Sequence, residues 1–529
     1  MKHFVLTILC LVSFQAIAQK HQERLASIDI QHYRFELQLN DDNDMINGIA
    51  HVSIRFLKNQ DKFQLDLVNQ GAEKGMKVNA VMLNNQRVPF THQNDQLTIN
   101  YSALKNEVKT FLIAYSGIPE TGLIISKNKY GDRTFFGDNW PDRGKHWLPI
   151  VDHPSDKATV EWVITAPAHY QVVGNGRLVE RTNINESLTL THWKSDVVLP
   201  TKVMVFGAAR FAIQVTGEIY DIPISSWVYP QDREKGFYDY ALALPVTDWF
   251  INHVGPYPYA KLANVQSKTQ FGGMENASNI FYSENSVNGT RSAEGLIAHE
   301  IAHQWFGNSA SEANWHHVWL SEGFATYFTN LYMEHKYGRD NFVEREKQQR
   351  EQVIAYSKEN RVPVVNTSIE NYMNLLNTNS YQKGGWVLHM LRKEVGDEAF
   401  WEAIRQYYDQ YQLSNALTED LKNVFESVSG KELDQFFNQW IMQAGQPEID
   451  ASWSFDDGKL NMNINQLQAE NFRFNLEVEI VYADGSSEIR TIPVSQKNQK
   501  WTPELNSKPA KIVLDPNCWL LFEGKVSAL

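Results

Sequence analysis

The sequence predicts a multidomain α+β protein with a β-rich N-terminal region, a mostly helical centre and a small C-terminal β-sandwich. Three observations predict it. The chain has 529 residues, more than one hydrophobic core organises, so two to four domains are expected. Apolar and polar residues alternate with the period of a strand from about residue 28 to 215, and again over 445–529. Between those stretches the apolar period lengthens to that of a helix.

In chain order, the first segment reads as a leader. Lys2 supplies a positive start, Phe4 to Phe14 an apolar run, and Ala16-Ile17-Ala18 the small-x-small pattern that precedes a cut. Residues 1–18 are therefore expected to be a signal peptide, and the mature protein to be exported, periplasmic or secreted. The run is too short for a permanent anchor, and no other apolar run is long enough to cross a membrane. Cleavage would leave Cys518 as the only cysteine, so no internal disulfide is expected. Cys518 lies beside the strand-like run Trp519-Leu520-Leu521-Phe522.

Residues 19–215 are expected to form the N-terminal β domain. Tyr33, Phe35 and Leu37 alternate with polar neighbours, and Asn40-Asp41-Asp42 and Asn84-Asn85 supply turns. Residues 216–444 carry helical periodicity over 237–250, 296–306, 324–337, 342–356, 386–395, 399–411 and 416–443. In 445–529, Phe472, Phe474, Leu476, Val478 and Ile480 alternate strictly, and Asp457-Gly458 and Asp484-Gly485 suit tight hairpins.

Apolar residues make up 43% and charged residues 21% of the chain, as in an ordinary soluble protein. The formal net charge of -13 argues against a nucleic-acid partner, which needs a basic face. It does not identify a substrate, and the sequence is silent on oligomeric state.

The strongest chemical signal is His299-Glu300-Ile301-Ala302-His303. Residues four apart share one face of a helix, so both imidazoles can reach one Zn²⁺ while Glu300 stands nearby as a base. Ser292 is the expected N-cap and Gly307-Asn308 the expected stop, with Leu296, Ile297, Ile301, Trp305 and Phe306 packing the helix. The five-residue pattern alone arises by chance in roughly one chain in several tens of this length. A catalytic zinc wants a third protein ligand and an open position. Glu322, 19 positions after His303, lies among apolar residues at the start of the next expected helix. A buried carboxylate there calls for a cation. Its structural alternative is a first-turn charge favoured by the helix dipole.

His299-Glu300-x-x-His303, eighteen residues, then Glu322 resembles the pattern of the gluzincin aminopeptidases, peptidase family M1, to which aminopeptidase N and leukotriene hydrolase belong. Gly272-Gly273-Met274-Glu275-Asn276, with 22 residues between it and His299, and Tyr381-Gln382-Lys383-Gly384 are similar to two further family signatures. The resemblance covers nearly the whole mature chain. It implies a saddle-like N-terminal β domain, a thermolysin-like α/β catalytic domain and a C-terminal β-sandwich. It also implies one Zn²⁺ per chain, held by His299, His303 and Glu322, with Glu300 as general base. By the same resemblance, Glu275 receives the free α-amine of a peptide substrate. Gly272-Gly273 with Met274 and Asn276 form the substrate edge, and Tyr381 stabilises the oxyanion. Each role makes physical sense: zinc polarises a carbonyl and acidifies water, a carboxylate moves the proton, a hydroxyl supports the oxyanion, and glycines admit a close backbone. Without the resemblance, the glycines read as a turn and Tyr381 as a core or surface residue.

The chain departs from the family where Asp138-Asn139-Trp140-Pro141 stands in place of a segment that often supplies an amine-binding helper. His316-His317 are expected to be supporting or surface groups, not ligands. The function implied is an exported zinc aminopeptidase that hydrolyses the first peptide bond of peptides with a free N-terminus. Two alternatives stay open at this level: an epoxide hydrolase of the leukotriene hydrolase type, which uses the same motifs, and a non-catalytic peptide-binding protein.

Overall fold

A computed structural model describes residues 23–529; the segment read as a leader lies outside them. No helix among the described residues is long and apolar enough to cross a membrane. The chain divides into two compact units. One takes the described residues through Ile251, with Pro256–Asn314 and Tyr411–Asn415; the other takes Asn252–Gly255, Trp315–Gln410 and Ala416–Leu529.

The first unit is built on β-sheets. Its largest has eight strands, and at its centre Ile28–Gln38 pairs antiparallel with Ile46–Phe56 and parallel with Lys157–Pro167. The alternation is physical: Tyr33, Phe35 and Leu37 are buried while His32, Arg34 and Glu36 are partly exposed. Phe35 stacks on Trp162 with ring centroids 5.1 Å apart, and Trp162 stacks on Trp147 at 5.7 Å. Asn84 and Asn85 take φ of 50° and 62°, the left-handed pair of a two-residue hairpin.

A second, five-stranded sheet positions the site. Its strand order is Ala212–Ile219, Ile222–Val228, Leu262–Ser267, Asn279–Ser283 and Gly273–Met274. Leu262–Ser267 is buried at all six positions, as expected of an inner parallel strand. Gly273–Met274 pairs with Tyr282 and Phe281 and forms the sheet's edge.

The second unit contains the helices Trp319–Tyr337, Arg339–Glu359, Gly384–Val395 and Thr418–Ser429. Residues expected to form one helix over 416–443 instead form Thr418–Ser429, a short turn Asp434–Phe437 and a π-turn Asn438–Met442. Gly430, with φ of 68°, ends the first piece in the left-handed conformation. The last residues form two β-sheets of four and three strands, with a tight hairpin at Asp457-Gly458 (φ 51° and 73°). The run Trp519–Phe522 is not a strand; Cys518 sits buried in a turn with φ of 57°, and the final strand is Glu523–Ala528. The carboxylate of Asp515 fixes this turn by accepting from the N–H groups of Trp519 and Leu520.

Candidate active site

The helix carrying His299 and Glu300 spans Glu294–Ala302, and His303 is its C-cap. Ser292 is not its cap: the flanking residue is Ala293, and the Ser292 hydroxyl instead accepts from the Asn288 side chain at 2.7 Å. The entering loop is held from a distance. The Asp239 carboxylate accepts from the N–H groups of Asn288, Gly289 and Arg291 at 2.7–2.8 Å. Ile297, Ile301, Trp305 and Phe306 are fully buried, and Leu296 is half-buried.

The helical period of the sequence runs to Phe306, but the helix closes at Ala302 and the chain tightens. Gln304 N–H reaches Ile301 O, Trp305 and Phe306 reach Ala302 O, and Gly307 takes φ of 107°. That tightening has a chemical consequence. It brings the Phe306 carbonyl to 3.1 Å from His303 Nδ1. With the Nδ1 proton committed there, the lone pair of Nε2 is left for a metal.

His299 Nε2 and His303 Nε2 stand 3.2 Å apart. Among the described residues, one group of three metal-ligating side chains comes together: His299, His303 and Glu322, with ligand atoms all within 4.8 Å of one another. Bonds of about 2.0–2.1 Å in a tetrahedron put ligand atoms roughly 3.3 Å apart, a spacing the two histidine nitrogens meet, and the mixed imidazole and carboxylate donor set suits Zn²⁺. His303 and Glu322 are buried and His299 is half-buried.

Glu300 is buried against the edge strand. A Cβ added at Gly273 would lie 2.4 Å from Glu300 Oε1, whereas one at Gly272 would meet only Leu296, its Cδ1 at 3.6 Å. Of the two glycines, Gly273 is therefore the one that packing demands. Gly272 precedes the strand, its carbonyl accepting from Ser283 N–H at 2.9 Å. Met274, Glu275 and Asn276 follow and are buried.

The backbone at Glu275 is tied to the histidine segment by side chains whose role the sequence does not reveal. Gln304 Nε2 and Asn308 Nδ2 both donate to the Glu275 carbonyl, at 2.8 and 2.6 Å. Gln304 Oε1 accepts from Ser278 N–H at 2.9 Å. The one available signal was their type: amides beside Trp305 and Phe306, in an otherwise apolar stretch. Asn308 is carried by a loop whose Asn308 and Ser309 carbonyls accept from half-buried Lys157. Burial and the nearby Lys202 charge hold that ammonium well below the usual lysine range. Lys202 in turn pairs with buried Glu312 at 2.5 Å.

In the second unit, Glu322 occupies the first turn of Trp319–Tyr337. Tyr381, half-buried, lies in the π-turn Asn379–Lys383 that leads into Gly384–Val395. The turn is held at three of its residues. Asn379 donates to Val362 O at 2.9 Å, Ser380 to Leu375 O at 2.6 Å and Lys383 to Gly445 O at 2.8 Å. Burial, with the Arg361 charge second, pushes the Lys383 ammonium down to about 7. Glu322 and Tyr381 are registered by a glycine contact: a Cβ on Gly323 would come within 2.8 Å of the Gly384 backbone.

His316 Nε2 pairs with the Ile369 carbonyl and His317 Nδ1 with Thr418, so both histidines serve local structure. In the segment that departs from the family pattern, Asn139 donates to the Thr201 and Met204 carbonyls, and Asp138 accepts from Arg143 at 2.6 Å.

Two histidines four residues apart and a glutamate whose carboxylate comes near both form a donor set of the kind that can hold a metal ion, with a second carboxylate, Glu300, between the histidines in sequence. The description "Peptidase family M1 domain" matches residues 245–440, and "Peptidase M1 N-terminal domain" matches 30–203. The chain belongs to peptidase family M1. It is 25% identical over 379 residues to glutamyl aminopeptidase of Bitis rhinoceros, covering 69% of this chain and 38% of that protein. It is 23% identical over 487 residues to probable aminopeptidase 2 of Sulfurisphaera tokodaii, covering 88% of this chain and 58% of that protein. The fold is similar to that of Legionella pneumophila aminopeptidase A, solved in complex with aspartic acid. There the TM-score is 0.82 and the identity 16%, over 94% of this chain and 60% of that one. The chain thus spans less than two thirds of the length of these relatives.

Proposed function

We propose that this protein is an exported zinc aminopeptidase that hydrolyses the first peptide bond of peptides bearing a free N-terminus. The observation that carries the reading is the grouping of His299, His303 and Glu322, with Glu300 pressed against the glycine edge strand. Those three side chains would hold one Zn²⁺, which when bound supplies Lewis acidity and lowers the pKa of water.

The remaining steps belong to the chain's own residues. An extended peptide pairs along the open edge at Gly272–Met274, as strands add to exposed sheet edges. Glu275 binds the substrate's ammonium group. An internal peptide bond brings no such charge to this buried carboxylate, so selection is for chain ends. Glu300 takes the proton of the attacking water and delivers it to the leaving amine nitrogen. The Tyr381 hydroxyl donates to the oxyanion of the tetrahedral species. Export rests on the sequence of residues 1–18.

The test uses the mature protein with two leucine anilides, one with a free amine and one N-acetylated, each with and without a zinc chelator. Chelator-sensitive cleavage of the free-amine substrate alone is the expected result. Equal cleavage of both would overturn Glu275 as an amine anchor, and cleavage indifferent to chelator would overturn the metal mechanism. Glu300→Gln is expected to lower kcat by about 10²–10⁴-fold, the usual share of general acid–base catalysis, with zinc retained. Wild-type turnover by the Glu300→Gln variant would rule out Glu300 as the base.

A further inference from the structure

We infer that Gln304 and Asn308 are positioning residues that set the direction of the Glu275 side chain, and so tune recognition of the substrate's amine. The inference rests on the proposed role of Glu275 as amine anchor.

The Glu275 carbonyl lies between the edge strand Gly273–Met274 and the strand Asn279–Ser283, just outside the ladder that pairs Gly273 with Tyr282. Two side-chain amides converge on it, from Gln304 at 2.8 Å and Asn308 at 2.6 Å. A carbonyl oxygen has two lone pairs, so these donors fill it and fix its peptide plane. Fixing that plane fixes the bond from which the Glu275 carboxylate projects. Both amides are fully buried, where geometry is held tightly and an unmade bond is costly.

The chemistry of the two residues points the same way. Asn308 Oδ1 makes no hydrogen bond among the described residues, so its bond to Glu275 is the contact its amide is there to make. Gln304 uses both ends: its Nε2 donates to Glu275 and its Oε1 accepts from Ser278 N–H. Ser278 holds φ of 62°, a conformation that an outside acceptor helps to keep. Gln304 directly follows His303, and Asn308 N–H bonds the His303 carbonyl at 3.1 Å. Amine anchor and metal-binding segment are thus joined by two short side chains rather than by the sheet.

The experiment compares wild type with Asn308→Leu, which keeps the shape and removes one donor. Gln304→Met serves as the second variant should the first fold poorly. Calorimetry measures binding of L-leucine, which carries a free amine, and of acetohydroxamate, which binds metal and carries none. The expected result is about tenfold weaker leucine binding, the scale of one lost buried hydrogen bond, with acetohydroxamate binding and zinc content unchanged. Equal weakening of both ligands, or of neither, would overturn the inference. A double-mutant cycle on anilide hydrolysis adds the coupling: in a Glu275→Gln background the Asn308→Leu effect should shrink to less than about twofold. Full additivity would overturn it. If wild type cleaved acetylated and free-amine anilides equally, the anchor reading itself would fall and the inference with it. Amine-selective wild type with additive variants would sink the inference alone.

Discussion

Replacing Gly273 with alanine tests the closest approach in the site. The added Cβ would lie 2.4 Å from Glu300 Oε1, 2.5 Å from Cδ and 2.6 Å from Cγ. Ordinary carbon contacts begin at about 3.5 Å, so the Glu300 carboxylate must retreat by about 1 Å. The backbone itself tolerates alanine, because Gly273 does not occupy the left-handed region. Glu300 is buried, so it has little room to move and regain its place. A general base displaced by about 1 Å costs on the order of 10²-fold in rate, or about 2.7 kcal/mol of barrier. We expect kcat and kcat/KM for a free-amine anilide to fall together by that factor, with zinc content and melting temperature near wild type. Gly272→Ala should lose much less, because its Cβ meets only Leu296, with Cδ1 at 3.6 Å. Steady-state kinetics and metal analysis on the two variants decide the matter. Gly273→Ala within about threefold of wild type, or equal losses in both variants, would refute the packing argument.

Gly323→Ala forces a Cβ to within 2.8 Å of the Gly384 backbone, which cannot give as a side chain end can. Overpacking of this kind costs roughly 1–3 kcal/mol, so the melting temperature should drop, and an unchanged melt would show that the helices separate freely. Asp156 is buried, and burial raises its carboxyl from 3.8 to about 8. The folded state therefore holds a proton that the unfolded state releases above the ordinary carboxylate range. The associated stability is fully present below the unfolded value and is lost as pH rises through about 8. Asp156→Asn removes that loss, so its melting temperature should gain on wild type from mildly acidic to mildly alkaline buffer; a constant difference would contradict the assignment.

Local chemistry made much of the site readable. The histidine spacing needs only helical geometry, and Glu322 stood out as a carboxylate among Trp319, Leu320 and Phe324. Gly272 and Gly273 look alike in the sequence, yet only the packing of Glu300 separates their roles. Ser292 had the right type and place for a cap, but no side chain caps the helix; the loop before it is held instead by Asp239, remote in sequence and near only once the chain has folded. The helix written through Phe306 stops at Ala302 because Gly307 and the following bridge pull the chain into a turn.

By itself the sequence determined the β, helical and β order of the chain, the tight Asn-Asn and Asp-Gly turns, and the set of groups able to hold a metal. Those properties follow from period, backbone preference and ligand chemistry, all local along the chain. Tertiary structure alone decided which glycine must lack a side chain, how Gly323 and Gly384 register Glu322 with Tyr381, and that two buried amides meet at the Glu275 carbonyl. Such contacts join residues distant along the chain, and the packed interior that creates them leaves no periodic trace in the sequence.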